Sequence, residues 1–258
     1  MSKFVLPHYQ EHDHLEKQHI EQVIYQVSFP IILSISEKVD SRIQEELRDF
    51  PIYRSNFETE IVTDVFNIQE TKTTVRKYHD FISLSDTEKV TIREGSVSVS
   101  TLNYASWSDF FKKVKIGLSA FEKIYTPVHY SRVDLRYINV FESDLFSAGS
   151  GKTISDLVQP NFAGAVPNYQ FPDPTVVGFN SQLIVNHDEV TSSNINYGLG
   201  TKPDSNSNHF AFLLDTTVYS TMNRDLTSVY RVSERLHDYA YDVFRWVIKD
   251  EYINDLRG

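Results

Sequence analysis

From Ile20 to Leu33 the chain alternates, with Val23, Tyr25, Val27 and Phe29 on one side and Gln22, Gln26 and Ser28 on the other. That period of two is the mark of a strand with one buried face. Pro30 removes a backbone donor and sets its edge or exit. The period then lengthens. Ser36 is placed to cap a helix running to about Asp49, with Val39, Ile43 and Leu47 as its apolar stripe and Phe50-Pro51 as its stop. Four strands are expected next, over Phe57–Ile68, Thr73–Leu84, Lys89–Arg93 and Ser96–Asn103. Gln69-Glu70, Asp86-Thr87 and Glu94-Gly95 separate them, as turns of a meander would.

Ser106-Trp107-Ser108-Asp109 has the form of a capping box. Behind it Trp107, Phe110, Phe111, Val114, Leu118 and Phe121 recur at helical spacing until Pro127 closes the segment. A long strand, His129–Phe141, follows. Residues 143–174 are rich in Gly, Ser, Asn and Pro, with one helical turn expected near Ile154–Val158. Strands are expected over Val176–His187, Ile195–Leu199 and His209–Thr217. A final helix, from about Asp225 to Asn254, carries the stripe Val229, Val232, Leu236, Ala240, Val243 and Val247. The pattern predicts an α+β fold: antiparallel sheets gripping long helices, laid out as two versions of one β-α-β(3–4)-α plan. The loop-rich stretch places a division between residues 1–143 and 144–258, unless the two halves form one integrated domain.

Composition narrows the chemistry. Seventeen Phe and 15 Tyr suit pleated, half-buried surfaces. The net charge of −10 argues against generic coating of nucleic acid, although it leaves room for a local basic groove. The absence of cysteine removes disulfides, thiolate nucleophiles and Cys-ligated metals. The charged start is unlike a secretory signal, and no apolar run approaches the roughly 20 residues that span a bilayer. A cytoplasmic, reduced setting is the expectation.

Several segments form a recognisable set. They are His19–Pro30, Ile43–Pro51, Tyr78–Ser85, Leu102–Phe110, Ser131-Arg132-Val133-Asp134-Leu135-Arg136-Tyr137-Ile138-Asn139, Leu213-Leu214-Asp215, Leu236-His237-Asp238 and Val243-Phe244. In this order, across nearly the whole chain, they resemble a sporadically distributed family of full-length bacterial and archaeal proteins to which no activity is assigned. The resemblance implies no catalytic residues. Its patchy distribution implies horizontal transfer, often beside mobile-element or phage-defence genes. Two positions depart from the family pattern: His19-Ile20 stands where a Pro-Ile pair is expected, and Asp134 where a Gly is expected.

Candidate chemistry is sparse. Ser147–Thr153 ends like a phosphate loop, but Phe146 occupies the position of the first glycine and the meander is the wrong setting, so an ordinary Gly/Ser loop is expected. His8, His12, His14 and His19 fall in a polar arm; His12 and His14 would suit a metal only if rigidly held, and solvated histidines are the plainer reading. Glu58, Glu60 and Asp64 share a strand face, a spacing that 35 acids produce by chance. No G-x-S-x-G elbow occurs. Tyr239, Tyr241, Phe244 and Trp246 cover more than one face of the last helix and leave aromatic surface for a partner.

Strand His129–Phe141 is the most informative element. Val133, Leu135, Tyr137, Asn139 and Phe141 share one face, and Arg132, Asp134 and Arg136 share the other, neighbours being about 6.5–7 Å apart. Such a ladder is either an internal Arg–Asp–Arg network or a ligand or partner surface. Arg132, Asp134 and Arg136 are therefore the candidate binding residues, with no catalytic or metal residues named and no cofactor implied. The expected function is a non-enzymatic binding or protein-interaction module, working through a protein partner or self-association. Two alternatives stand beside it. One is a binder or enzyme of nucleotide or single-stranded nucleic acid using the arginine-lined sheet; the other is a structural homodimer subunit.

Overall fold

A computed structural model describes residues 6–9, 12, 15, 18–63, 71–142, 153–164, 178–201 and 210–257. Its strands are β1 (Ile20–Ser28), β2 (Ile52–Thr63), β3 (Thr71–Ile82), β4 (Glu88–Arg93), β5 (Ser96–Thr101), β6 (Tyr130–Glu142), β7 (Phe179–Asn186), β8 (Thr191–Thr201) and β9 (Phe210–Arg224). Its helices are α1 (Leu33–Glu37), α2 (Arg42–Glu46), α3 (Trp107–Tyr125), α4 (Ile154–Leu157), α5 (Leu226–Val247) and α6 (Asp250–Arg257). The strands form an antiparallel sheet in the order β2-β3-β4-β5-β1-β6-β9-β8-β7. An α+β chain dominated by antiparallel strands is what the pattern predicts. By its contacts the chain divides into two compact units. One holds residues 24–133 and 222–229; the other holds 1–23, 134–221 and 230–258, so one boundary falls inside β6.

In the first unit the alternation of β1 is realised: Tyr25, Val27 and Phe29 are buried. Helix α3 begins as its capping box dictates, with Ser106 Oγ accepting from the Asp109 amide at 3.1 Å. It ends at Thr126, whose φ of 38° is a left-handed cap. Its stripe of Phe110, Phe111, Val114, Leu118 and Phe121 is buried, and Phe121 stacks on Phe29 at 4.7 Å. Gly117 brings the helix down onto the sheet, since a Cβ there would lie 2.8 Å from Val99 Cγ2. The single helix expected over Ser36–Asp49 is two short ones. Ser36 lies inside α1, its hydroxyl donating to the Leu33 carbonyl. Asp40 breaks the run: its carboxylate accepts from the Arg42 amide at 2.9 Å, and its own amide donates to Tyr125 Oη at 2.8 Å. Val39, Ile43 and Leu47 are nonetheless buried as the stripe requires. β2 starts five residues earlier than expected because Ile52–Asn56 pair with Ile82–Tyr78.

In the second unit a core of Phe141, Leu157, Phe162, Ile195, Phe212, Val243 and Ile253 lies between β6, β8, β9 and helices α4 to α6. Asp188 shapes the tight β7–β8 turn by accepting from the Val190 and Thr191 amides, both at 2.8 Å, and this lengthens β8 at its start. The last helix is broken where a continuous one is expected. The Val247 carbonyl accepts from Gln159 N, and Lys249 N donates to the Leu157 carbonyl, so the α4 segment inserts as a short bridge at Ile248. The short turn expected near Ile154–Val158 is α4. The Ser147–Lys152 part of the phosphate-loop-like stretch, His14 and Asp64 lie outside the described residues, as do the side chains of residues 60–63.

Candidate functional site

In the first unit the face of the sheet turned away from α3 is polar by register. Asp80 on β3 pairs in register with Arg54 on β2 and Thr91 on β4. Its buried carboxylate accepts from Thr91 Oγ1 at 2.6 Å and from Asn56 Nδ2 at 2.8 Å, with Lys89 Nζ at 3.8 Å. A buried polar group needs such hydrogen-bond partners. On the other face of β3, His79 is fully buried and its Nε2 lies 3.0 Å from the Ile35 carbonyl. A carbonyl only accepts, so Nε2 carries the proton and Nδ1 accepts from Tyr53 Oη at 2.9 Å. Burial holds this imidazole below its ordinary pKa.

Beyond this lattice, at the end of β4, opens a shallow cavity of about 230 Å³. Arg76, Lys77, Tyr78 and Arg93 line it with Glu58 and Glu94; Gln26, Ser28 and Ser96 supply neutral polar groups. Its cations are balanced by weak partners. Arg93 Nε donates to Glu58 at 3.2 Å and its guanidinium lies 4.8 Å over the Tyr78 ring; Arg76 donates to Glu94 at 3.0 Å. The Arg93–Glu58 pair is partly solvated on both sides, whereas Glu94 is more shielded; solvated pairs contribute only about 0–1 kcal/mol. An incoming anion would therefore exchange for Glu58 at small cost. Arg76 on β3 and Arg93 on β4 line the same cavity, so a planar anion would be held by more than one guanidinium.

The residues singled out on β6 behave differently from one another. Arg136 makes a two-pronged pair with Asp215 on β9, Nε to Oδ1 at 2.7 Å and Nη2 to Oδ2 at 2.6 Å. The carboxylate is nearly buried while the guanidinium keeps 41% of its side-chain surface, and the pair raises the Arg136 pKa. Asp134 is buried and Arg132 half-buried, both with partners of their own. On the opposite face of β6, Tyr137 Oη and His237 Nδ1 share a hydrogen bond of 3.0 Å, and Asn139 donates weakly to the Leu214 carbonyl at 3.4 Å. Three separated sequence segments, Leu135–Asn139, Leu213–Asp215 and Leu236–Asp238, thus meet in one bonded cluster.

The polar arm, its histidines expected to be solvated, is docked along α5 where it is described. Asp242, almost fully buried, accepts from His8 Nδ1 at 2.9 Å and from the Tyr9 amide at 2.8 Å. Tyr9 lies under the Arg245 guanidinium at 4.4 Å, and His12 stacks on Tyr241 with ring centroids 4.3 Å apart. The Asp242 carboxylate raises the His8 pKa, whereas burial and the neighbouring His12 push His237 down to about 3. The helix aromatics Tyr239 and Tyr241 are taken up in this packing, Tyr239 against His187 at 4.0 Å. Glu58 points to Arg93.

Sequence reasoning passed over Arg76, Tyr78 and Arg93. The available signal was the i, i+2 spacing of Arg76, Tyr78 and Asp80 on one strand; what brings Arg93 to them is the β3–β4 register. Among the described residues no group of three or more His, Asp or Glu side chains is placed to hold a metal ion, and no helix is long and apolar enough to cross a membrane. Fold and site together define an α+β protein with an antiparallel sheet, one face of which carries an ordered polar lattice. No protein-family model matches the chain, and no curated protein matches its sequence.

Proposed function

We propose that this protein is a non-enzymatic binding module that receives an anionic group in the cavity at the end of β4. Arg76 and Arg93 supply the charge, Tyr78 supplies a flat wall, and Gln26, Ser28 and Ser96 complete the hydrogen bonds. The observation that carries the reading is a cavity of about 230 Å³ whose arginines meet one exposed carboxylate, Glu58, and one half-buried one, Glu94, beside the hydrogen-bonded Asp80. Preorganised cations with replaceable counter-ions are what anion binding requires. On β6, Arg132, Asp134 and Arg136 add a second polar row, in which the Arg136–Asp215 pair serves as a fixed dipole.

The test is calorimetric titration of the full chain with inorganic phosphate, a dicarboxylate and a nucleoside monophosphate. At least one should bind, and Arg93→Ala should weaken it about tenfold or more, near 1.4 kcal/mol. Binding by none, or equal binding by wild type and Arg93→Ala, ends the proposal. A second reading, in which the anion belongs to a nucleotide or a single-stranded nucleic acid, is favoured by the stacking of Arg93 on Tyr78. It predicts that the purified protein carries ultraviolet absorbance beyond its Trp and Tyr content, and that Tyr78→Ala removes it. The strand order, running outward from β1 to β2 and from β6 to β7, supports two versions of one β-α-β plan. Placement in a defence or mobile-element system rests on the family resemblance alone, and a cytoplasmic setting on the composition.

A further inference from the structure

The end strand of the sheet, β2, carries the most unusual surface among the described residues. It is twelve residues long, and its register with β3 runs unbroken from Ile52↔Ile82 to Thr63↔Thr71, with no bulge to twist it away. Proteins normally protect such an edge with lysine, proline, a bulge or shortness. Ile52–Thr63 contains no Lys, Pro or Gly. β4 pairs with β3 only from Phe81 and its neighbours back to His79, so the outer half of the β2–β3 hairpin extends beyond the body of the sheet. There Phe57 is 69% exposed and Val75 61%, with Tyr53 at 43% farther along the same face. These three belong to the residue parity whose inner members, His79 and Phe81, are core.

We infer that β2 is the interface for a second copy of this chain, paired antiparallel across a two-fold axis at Asn56. The charge pattern selects this occupant and this register. With Asn56 opposite Asn56 of the second copy, Arg54 falls opposite Glu58 and Glu58 opposite Arg54, giving two ion pairs on one face. A parallel arrangement would set Arg54 against Arg54, which like-charge repulsion disfavours. On the other face Tyr53 lies diagonal to Phe57 of the second copy. The exposed apolar row, Val75, Phe57 and Tyr53, then becomes one stripe across four strands. The pairing satisfies the outward backbone donors and acceptors of β2, the same chemistry by which strands add to sheet edges elsewhere. Such an isologous contact closes on itself and stops at two copies. The edge pairing shares Glu58 with the anion cavity, where it meets Arg93, but a failure of anion binding would leave the pairing of β2 intact.

A chain without cysteine makes the test clean. Residues directly opposite in an antiparallel pair have Cα atoms about 4.5–5.5 Å apart, within disulfide reach. Asn56→Cys should therefore cross-link to a covalent dimer under mild oxidation, whereas Val128→Cys, on a residue that is 92% exposed and distant in sequence, should not. In sedimentation velocity the wild type should be a dimer, Arg54→Glu and Glu58→Arg each a folded monomer, and the double exchange Arg54→Glu with Glu58→Arg a dimer again. A monomeric wild type overturns the inference. So does a dimer that persists in Arg54→Glu while Asn56→Cys stays uncross-linked.

Discussion

Individual polar residues in this protein are stabilised by specific partners, and each pairing has a measurable consequence. Asp215 is nearly buried and meets the Arg136 fork. Arg136→Ala removes both charge-assisted bonds and should cost about 2 kcal/mol, reduced from the fully buried case because the guanidinium is partly solvated. Arg136→Lys keeps the charge but loses the fork and should recover only part of this. Urea denaturation at constant slope reads both values; a loss below about 0.5 kcal/mol would mark the pair as surface decoration. His237 makes a statement about pH. Its folded pKa of about 3 lies below the ordinary histidine value of 6.5, so between those limits the unfolded chain binds the extra proton. Stability must therefore fall as pH drops from 6.5 towards 3, by up to about 1.4 kcal/mol per pH unit from this residue. His237→Gln should flatten that dependence in melting curves taken at successive pH values. His8 has the opposite sign: its raised pKa makes the Asp242 contact strongest below 6.5 and lost as pH climbs through the raised value.

At the scale of elements, close approach is set by two glycines. A Cβ at Gly198 on β8 would stand 2.0 Å from the Phe179 carbonyl of β7, a backbone clash that no side-chain rotation relieves. Gly198→Ala should cost more than about 3 kcal/mol in thermal unfolding, by forcing β7 from the sheet. Gly117→Ala gains about 1 kcal/mol of helix propensity but collides with Val99, and a net loss is expected. Combining it with Val99→Ala should return part of that loss, a coupling that a double-mutant cycle measures directly. These elements also show what patterning can and cannot convey. β1 and α3 were legible because burial on one face imposes a period, and Ser106 announced its helix start. The breaks at Asp40 and Ile248 were not legible. Val39-Ile43-Leu47 and Val243-Val247 keep the helical period straight through them, while the interruptions come from bonds to distant partners, Tyr125 Oη and the Leu157 carbonyl.

For the whole molecule, the antiparallel α+β class followed from strand spacing, yet the site did not follow from any one strand. Arg132, Asp134 and Arg136 stood out because they are neighbours on a single face. Arg76, Tyr78 and Arg93 converge only through the pairing of β3 with β4, which no local pattern encodes. The same holds for the β2 edge: its charges and aromatics are plain in the sequence, but that it ends the sheet is a property of strand order. Anion recognition beside the end of β4 is reported residue by residue by the backbone amide resonances of the full chain. Titration with inorganic phosphate, and separately with a dicarboxylate, should give saturable shifts confined to Arg76, Lys77, Tyr78, Arg93, Ser96 and their immediate neighbours for at least one of the two. Shifts that never saturate, or that gather elsewhere on the chain, would contradict it.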